Sequence, residues 1–139
     1  FDLTGPHLGQ VIDPIQTMPG ERAGRTFKFC IHALQDGMPF DQEGYLNVGV
    51  FPDGRAGEIF IKMAKQGSET SGWADSFAIA VSMLLQRGVP LEDVIAKFKA
   101  RRFEPSGMTD TPGIPFATSP VDLICRILEM KCLPLEENK

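Results

Sequence analysis

AGEIFIKMAKQGSETSGWADSFAIAVSMLLQRG, residues 56–88, decides the fold. Ile59, Ile61 and Met63 alternate with Phe60 and Lys62, which is the period of a strand. From Trp73 onward the spacing changes: Trp73, Phe77, Val81 and Leu84 recur at helical intervals. Between the two lies Lys65-Gln66-Gly67-Ser68-Glu69-Thr70-Ser71-Gly72, a turn bracketed by glycines. Ser68 or Ser71 is expected to cap the helix, with Asp75 near its positive end. Gly88 supplies a natural C-terminal stop. Ala74, Ala78, Ala80 and Leu85 leave the helix apolar almost all round, which predicts burial between the sheet and other helices.

Working upstream, residues 45–51 alternate, with Leu46, Val48 and Val50 on one face. Phe51-Pro52-Asp53-Gly54-Arg55 is a turn, since proline presets φ and glycine accepts a positive one. Residues 45–51 and 58–64 should therefore form an antiparallel hairpin. Residues 36–43, with Gly37 and Pro39, read as a loop. Residues 26–33 form a half-buried strand: Phe27, Phe29 and Ile31 face one way, Lys28, Cys30 and His32 the other. Residues 1–25 are broken by prolines and glycines and read as an extended arm or linker, part of which docks through Val11, Ile12 and Ile15.

Downstream, Pro90 opens a second helix with Leu91, Val94, Ile95 and Phe98 as its apolar stripe. Glu92 and Asp93 at one end and Lys97 and Lys99 at the other suit the helix dipole. Residues 108–118 read as a loop. Ser119-Pro120-Val121-Asp122 opens a third helix, packed through Leu123, Ile124, Ile127 and Leu128. The expected fold is α+β, a small antiparallel sheet of about three strands packed against about three helices. The domain should span residues 26–132, followed by a frayed tail over 133–139.

A chain of 139 residues with a formal charge of −4 suits one domain and argues against disorder or a general polyanion binder. The charge is uneven. Residues 62–102 hold 7 basic and 4 acidic side chains, and the remainder 7 basic and 14 acidic. A locally basic face and an ordinary solvated surface both account for this. No apolar run reaches the roughly 18 residues of a membrane span, so no membrane partner is expected. Cys30, Cys125 and Cys132 are odd in number and form no CxxC pair, which fits a reducing cytoplasm rather than a disulfide framework or cysteine zinc site. His7 and His32 stand apart from any metal-ligand spacing. With no methionine at its start, the chain is expected to be a piece of something longer.

Two stretches are candidates for binding. Gly67, Ser68, Thr70, Ser71 and Gly72 bring hydroxyls and free N–H groups to a helix N-terminus, with Lys62 and Lys65 just upstream, an arrangement that suits phosphate. It lacks the glycine-lysine-serine/threonine ending of a phosphate loop, and Glu69 would repel an anion. An ordinary helix start explains the same residues. Arg101 and Arg102 beside Phe103 could hold a phosphate backbone against a stacking ring, although cations also suit a helix C-terminus. No Ser/His/Asp order or paired-carboxylate spacing stands out. Cys125 reads as core rather than nucleophile.

Several motifs occur together and in order: residues 44–50, Pro52-Asp53-Gly54-Arg55-Ala56-Gly57-Glu58-Ile59-Phe60-Ile61, Met63-Ala64-Lys65-Gln66-Gly67-Ser68, Ser71-Gly72 and Asp75-Ser76-Phe77-Ala78. Gly88-Val89-Pro90-Leu91, Lys97-Phe98 and Arg102-Phe103-Glu104-Pro105-Ser106-Gly107 continue the series. This pattern resembles the TSCPD domain at the C-terminal end of adenosylcobalamin-dependent (class II) ribonucleotide reductases, from about Met18 to Leu128. The resemblance implies an α+β domain and a link to ribonucleotide reduction and so to DNA replication. The family's catalytic barrel, with its radical cysteine and cobalamin site, is not among these residues. Adenosylcobalamin would therefore belong to another domain, and no cofactor is expected here. The motif that names the family falls on Thr118-Ser119-Pro120-Val121-Asp122, without its cysteine, and the cysteine-rich tail of many such reductases is reduced to Cys132.

The expected function is a non-catalytic accessory or regulatory domain that docks on a reductase catalytic chain, with nucleotide binding at residues 67–72. A free-standing nucleotide-binding regulator is the alternative, and nucleic-acid binding through residues 97–103 a third. A homodimer is expected if the sheet face bearing Tyr45, Phe51 and Phe60 is left uncovered.

Overall fold

The alternating stretches pair into one antiparallel sheet. In the computed structural model, which describes residues 15–64 and 67–133, strand β1 (Gly24–Gln35) pairs with β2 (Met38–Val50), and β2 with β3 (Ala56–Met63). Helix α1 (Ser68–Gln86) and helix α2 (Leu91–Phe98) follow. Strands β4 (Gly107–Thr109) and β5 (Phe116–Ala117) then lead into helix α3 (Pro120–Cys132). The sheet order is β3-β2-β1-β4-β5. The class is α+β as expected, with five strands in place of three.

Two of the expected loops contain strands. Residues 36–43 do not loop. Asp36 and Gly37 take positive φ (53° and 78°) and form a two-residue turn, and β2 begins at Met38. Asp-Gly is the pair such a tight hairpin requires. Residues 108–118 likewise hold β4 and β5, two short strands that extend the sheet on the far side of β1.

Strand parity sorts the side chains. Phe29 and Ile31 of β1, Leu46 and Val48 of β2, and Ile59, Ile61 and Met63 of β3 share one face and are buried. Ala74, Ala78, Val81 and Leu85 of α1 pack with them, as do Val94 and Ile95 of α2 and Leu123, Ile124, Ile127 and Leu128 of α3. Burying each large aliphatic side chain stabilises the fold by about 1.5–3 kcal/mol, so this layer supplies most of the driving force. The opposite sheet face carries Lys28, His32, Tyr45, Phe60, Lys62, Met108 and Phe116, all exposed. Phe51 departs from expectation: it is buried, with the Arg55 guanidinium 4.8 Å from its ring centre.

Helix α1 also differs from the expected fully buried element. It lies against β3, the edge strand, and leaves Ile79 and Met83 more than 60% exposed. Its polar positions close the strand's outer edge. The Ser82 hydroxyl accepts from Ile59 N (2.9 Å) and donates to Ile59 O (3.1 Å), while Gln86 Nε2 donates to Gly57 O (3.0 Å). The helix starts on Gly67 as N-cap, with no side-chain cap, so neither Ser68 nor Ser71 caps it. Gly88, at φ 95°, ends it. Of the N-terminal arm, Gln16 N donates to Gln86 O (2.8 Å) and Arg22 pairs with Glu58; Ile15, expected to dock, is exposed instead, and Val11 and Ile12 lie outside the described residues.

Candidate functional site

The segment after α2 is shaped by the start of α3. Ser119 caps that helix by accepting from Asp122 N (2.9 Å), with Pro120 in the first turn. This leaves the Asp122 carboxylate, fully buried, facing the chain that leaves α2. It accepts from Ala100 N (2.7 Å), Thr118 N (3.0 Å) and Arg126 Nε (2.9 Å). Burial alone would raise its pKa. The donated hydrogen bonds and the arginine together outweigh that and hold the carboxyl below its usual range. Ala100 is bent to φ 68°, and Thr118 reaches across to Arg101 O (2.8 Å) and takes Phe103 N (3.1 Å). The backbone of residues 100–103 is thus fixed at three points, Ala100 N, Arg101 O and Phe103 N.

That backbone forms one wall of a groove of about 530 Å³, lined by Phe77, Phe98, Ala100, Arg101, Arg102, Phe103 and Val121. Phe77 meets Phe98 edge to face (5.3 Å between ring centres), and Trp73 meets Phe103 (6.0 Å). These contacts are favoured geometries for aromatic pairs. Arg101 and Arg102 are exposed, and no ion pair among the described residues involves either. Two cations over an aromatic floor suit an anion that also carries a flat ring.

The sequence-predicted residues divide. Arg101 and Arg102 line the groove, and the Trp73–Phe103 contact brings the first turns of α1 beside it. Gly67 is the N-cap, while Ser71 and Gly72 lie inside the helix, Ser71 N being bonded to Gly67 O (3.1 Å). The expected eight-residue turn is therefore mostly helix. Thr70 lines a different cavity, of about 390 Å³, with Phe40, Gln42, Glu104 and Pro105. Lys62 is on the uncovered sheet face, away from the groove. Lys65 and the Ser68 side chain lie outside the described residues. Sequence reading missed Phe77, Phe98 and Val121 as lining residues, because core spacing disguised them. It also missed Gln42, which is buried and whose Oε1 has no partner among the described residues.

Gly72 allows a direct check of the binding assignment. A Cβ there would meet nothing within 4 Å. Gly72→Ala should therefore stabilise the protein by about 0.5–1 kcal/mol, the intrinsic preference of a helix for alanine. Urea unfolding would show this, and ligand affinity should stay unchanged if Gly72 contacts no ligand.

A second cluster lies on the uncovered sheet face. His32 is not isolated: its Nδ1 lies 2.9 Å from Asp41 Oδ1 and its Nε2 2.7 Å from Asp110 Oδ1, with Cys30 Sγ 3.9 Å from Nδ1. The hydrogen bond to Asp41, then that to Asp110, raises the imidazole's pKa above its ordinary value. Burial, aided by the charges of Asp41, Asp110 and Glu43, pushes the Cys30 thiol up to about 11. Burial pushes Cys125 to about 12 and also raises Cys132. All three thiols are therefore protonated at neutral pH, and none is an activated nucleophile.

Residues 19–131 match the TSCPD domain family. The chain is 45% identical over 119 residues to a vitamin B12-dependent ribonucleotide reductase of Streptomyces avermitilis, a match covering 86% of this chain and 12% of that protein. It is 47% identical over 113 residues to the enzyme of that name from Rhodopirellula baltica, covering 81% and 10%. For the one from Bradyrhizobium diazoefficiens the identity is 40% over 114 residues, covering 81% and 8%. The chain thus spans about an eighth or less of the length of these relatives. No solved structure matches it.

Proposed function

Because this chain belongs to the TSCPD domain family, we propose that it is a non-catalytic accessory domain of vitamin B12-dependent ribonucleotide reduction, serving docking or assembly of a reductase catalytic chain. One observation carries the reading: more than four-fifths of this chain is 40–47% identical to a small share of much longer reductases. The chemistry agrees, since the three thiols are held protonated. Cobalamin chemistry falls, on this reading, to the rest of the reductase. Grooves of about 390–530 Å³ suit a ligand of nucleotide size.

A second reading adds a nucleotide to the first. The Arg101–Arg102 groove, with its aromatic floor, supports binding of a nucleotide as a regulatory contact, and the same groove would serve a free-standing nucleotide-binding module.

The test has two parts. The protein is mixed with a vitamin B12-dependent reductase catalytic chain that lacks this domain and followed by size exclusion and turnover. A complex, or a change in turnover, is expected; the absence of both would overturn the docking reading. Native mass spectrometry with a nucleotide panel then examines the groove. Arg101→Ala/Arg102→Ala should weaken any nucleotide adduct at least tenfold, since each charge-assisted contact contributes about 1.5–3 kcal/mol. An unchanged adduct would exclude the groove. Affinity for single-stranded DNA that falls steeply with salt would instead mark a nucleic-acid surface.

A further inference from the structure

We propose that Cys30, His32 and Asp41 form a binding site for one zinc ion, with Asp110 as the outer carboxylate that orients His32. The site follows from strand register. His32 and Asp41 are direct cross-strand partners on the uncovered sheet face, and Cys30 is two residues before His32 on that same face. Residues at i and i+2 of a strand share a face, and facing residues of paired strands bring their side chains together. The three side chains therefore converge on a paired, rigid scaffold rather than on a loop.

The distances suit the metal. Cys30 Sγ, His32 Nδ1 and Asp41 Oδ1 all lie within 4.8 Å of one another. A tetrahedral zinc with ordinary bond lengths places sulfur about 3.6 Å from nitrogen and nitrogen about 3.4 Å from oxygen. The corresponding separations here are 3.9 and 2.9 Å. Each differs by about half an ångström or less, within reach of small side-chain rotations.

The environment of His32 points the same way. A histidine ligand donates its other ring N–H to a carboxylate, which fixes tautomer and ring orientation. Asp110 Oδ1 stands 2.7 Å from Nε2 and performs that role, directing Nδ1 at Cys30 and Asp41. The His32 and Asp41 side chains are 41% and 58% exposed, so a metal can enter and water can complete the fourth position. One thiol, one imidazole and one carboxylate suit zinc, whereas magnesium and calcium call for oxygen ligands. Coordination sends the Cys30 S–H proton and the His32 Nδ1 proton to solvent, since a coordinating thiol is deprotonated outright.

Cobalt(II) titration of the full chain, as a spectroscopic stand-in for zinc, tests this. The expected result is one equivalent bound, with a sulfur-to-cobalt charge-transfer band and the visible bands of a tetrahedral site, both displaced by zinc. Cys30→Ser should abolish the charge-transfer band, and Cys132→Ser should leave it intact. Asp110→Asn should weaken binding about 10- to 100-fold, the usual effect of losing such an outer partner. Circular dichroism confirms that each variant is folded. No charge-transfer band in the parent protein, or a band that survives Cys30→Ser in a folded variant, would overturn the proposal. The first of these outcomes would leave His32 as an imidazolium held between two carboxylates.

Discussion

Asp122→Ala should cost about 3 kcal/mol of stability: the carboxylate is fully buried but Arg126 keeps 34% of its side chain exposed, which puts the loss at the lower end of the range of about 3–5 kcal/mol for breaking a buried ion pair. The carboxylate serves Ala100 N, Thr118 N and Arg126 at once. Alanine leaves these part-buried donors without it, and an unsatisfied donor costs up to about 1–3 kcal/mol where water cannot replace the partner. Against a typical total of 5–15 kcal/mol, that is a large fraction, and urea unfolding at neutral pH would register it. A loss below about 1 kcal/mol would mean that water replaces the carboxylate. The pH dependence has a definite sign. Because the folded-state pKa is depressed, the contribution is complete above the unfolded value of about 3.9 and is lost as pH falls through the lower folded value. The stability difference between parent and Asp122→Asn should therefore be flat near neutrality and shrink only in acid. Asp122→Ala should also loosen residues 100–103 and weaken any ligand held by Arg101 and Arg102.

The second large effect is expected at Gly107→Ala. A Cβ there would run into the backbone carbonyl of His32, with the carbonyl carbon only 3.0 Å away. The obstacle is strand backbone, so no side chain can yield. Strand β4 must move off β1, disturbing the Ile31–Thr109 and His32–Met108 pairings. The cost should be about 3 kcal/mol, at the upper end for overpacking. There is a local signature as well. Asp110 would leave His32, and the imidazole's titration, followed by NMR, should fall toward its ordinary value. Destabilisation below about 1 kcal/mol with unchanged His32 titration would show that the strands accommodate the methyl group.

These two residues show where sequence reading reaches its limit. Ser119, Pro120 and Asp122 were legible as a helix start because capping is local. The reach of Asp122 to Ala100, 22 residues earlier, was not, since no periodicity encodes it. The hairpin of β2 and β3 was legible from alternation and from Pro52-Asp53-Gly54. That of β1 and β2 was hidden, although Asp36-Gly37 is its signal, because Pro39, Asp41 and Glu43 look like loop residues. They lie on the uncovered face, where polar side chains meet water at no cost. Reading them as a loop also hid the site, for only the pairing of His32 with Asp41 completes the cluster around Cys30. Helix α1 misled for the opposite reason: Ala80 and Leu84, added to the buried stripe, suggested an element apolar and buried all round, yet both are exposed.

The seal that Ser82 and Gln86 place on β3 bears on how such a domain can be carried at all. An open sheet edge is a template on which another chain can crystallise its own strands, and the hazard grows when many copies are made together. Here one edge is occupied along Gly57 and Ile59 by side chains of the protein's own helix. The other edge is a strand of two residues, Phe116–Ala117. At these positions the two outermost strands hold little backbone free for a further strand, which disfavours growth by strand addition there. Where the helix covers Gly57 and Ile59, a partner would meet side chains rather than open strand backbone.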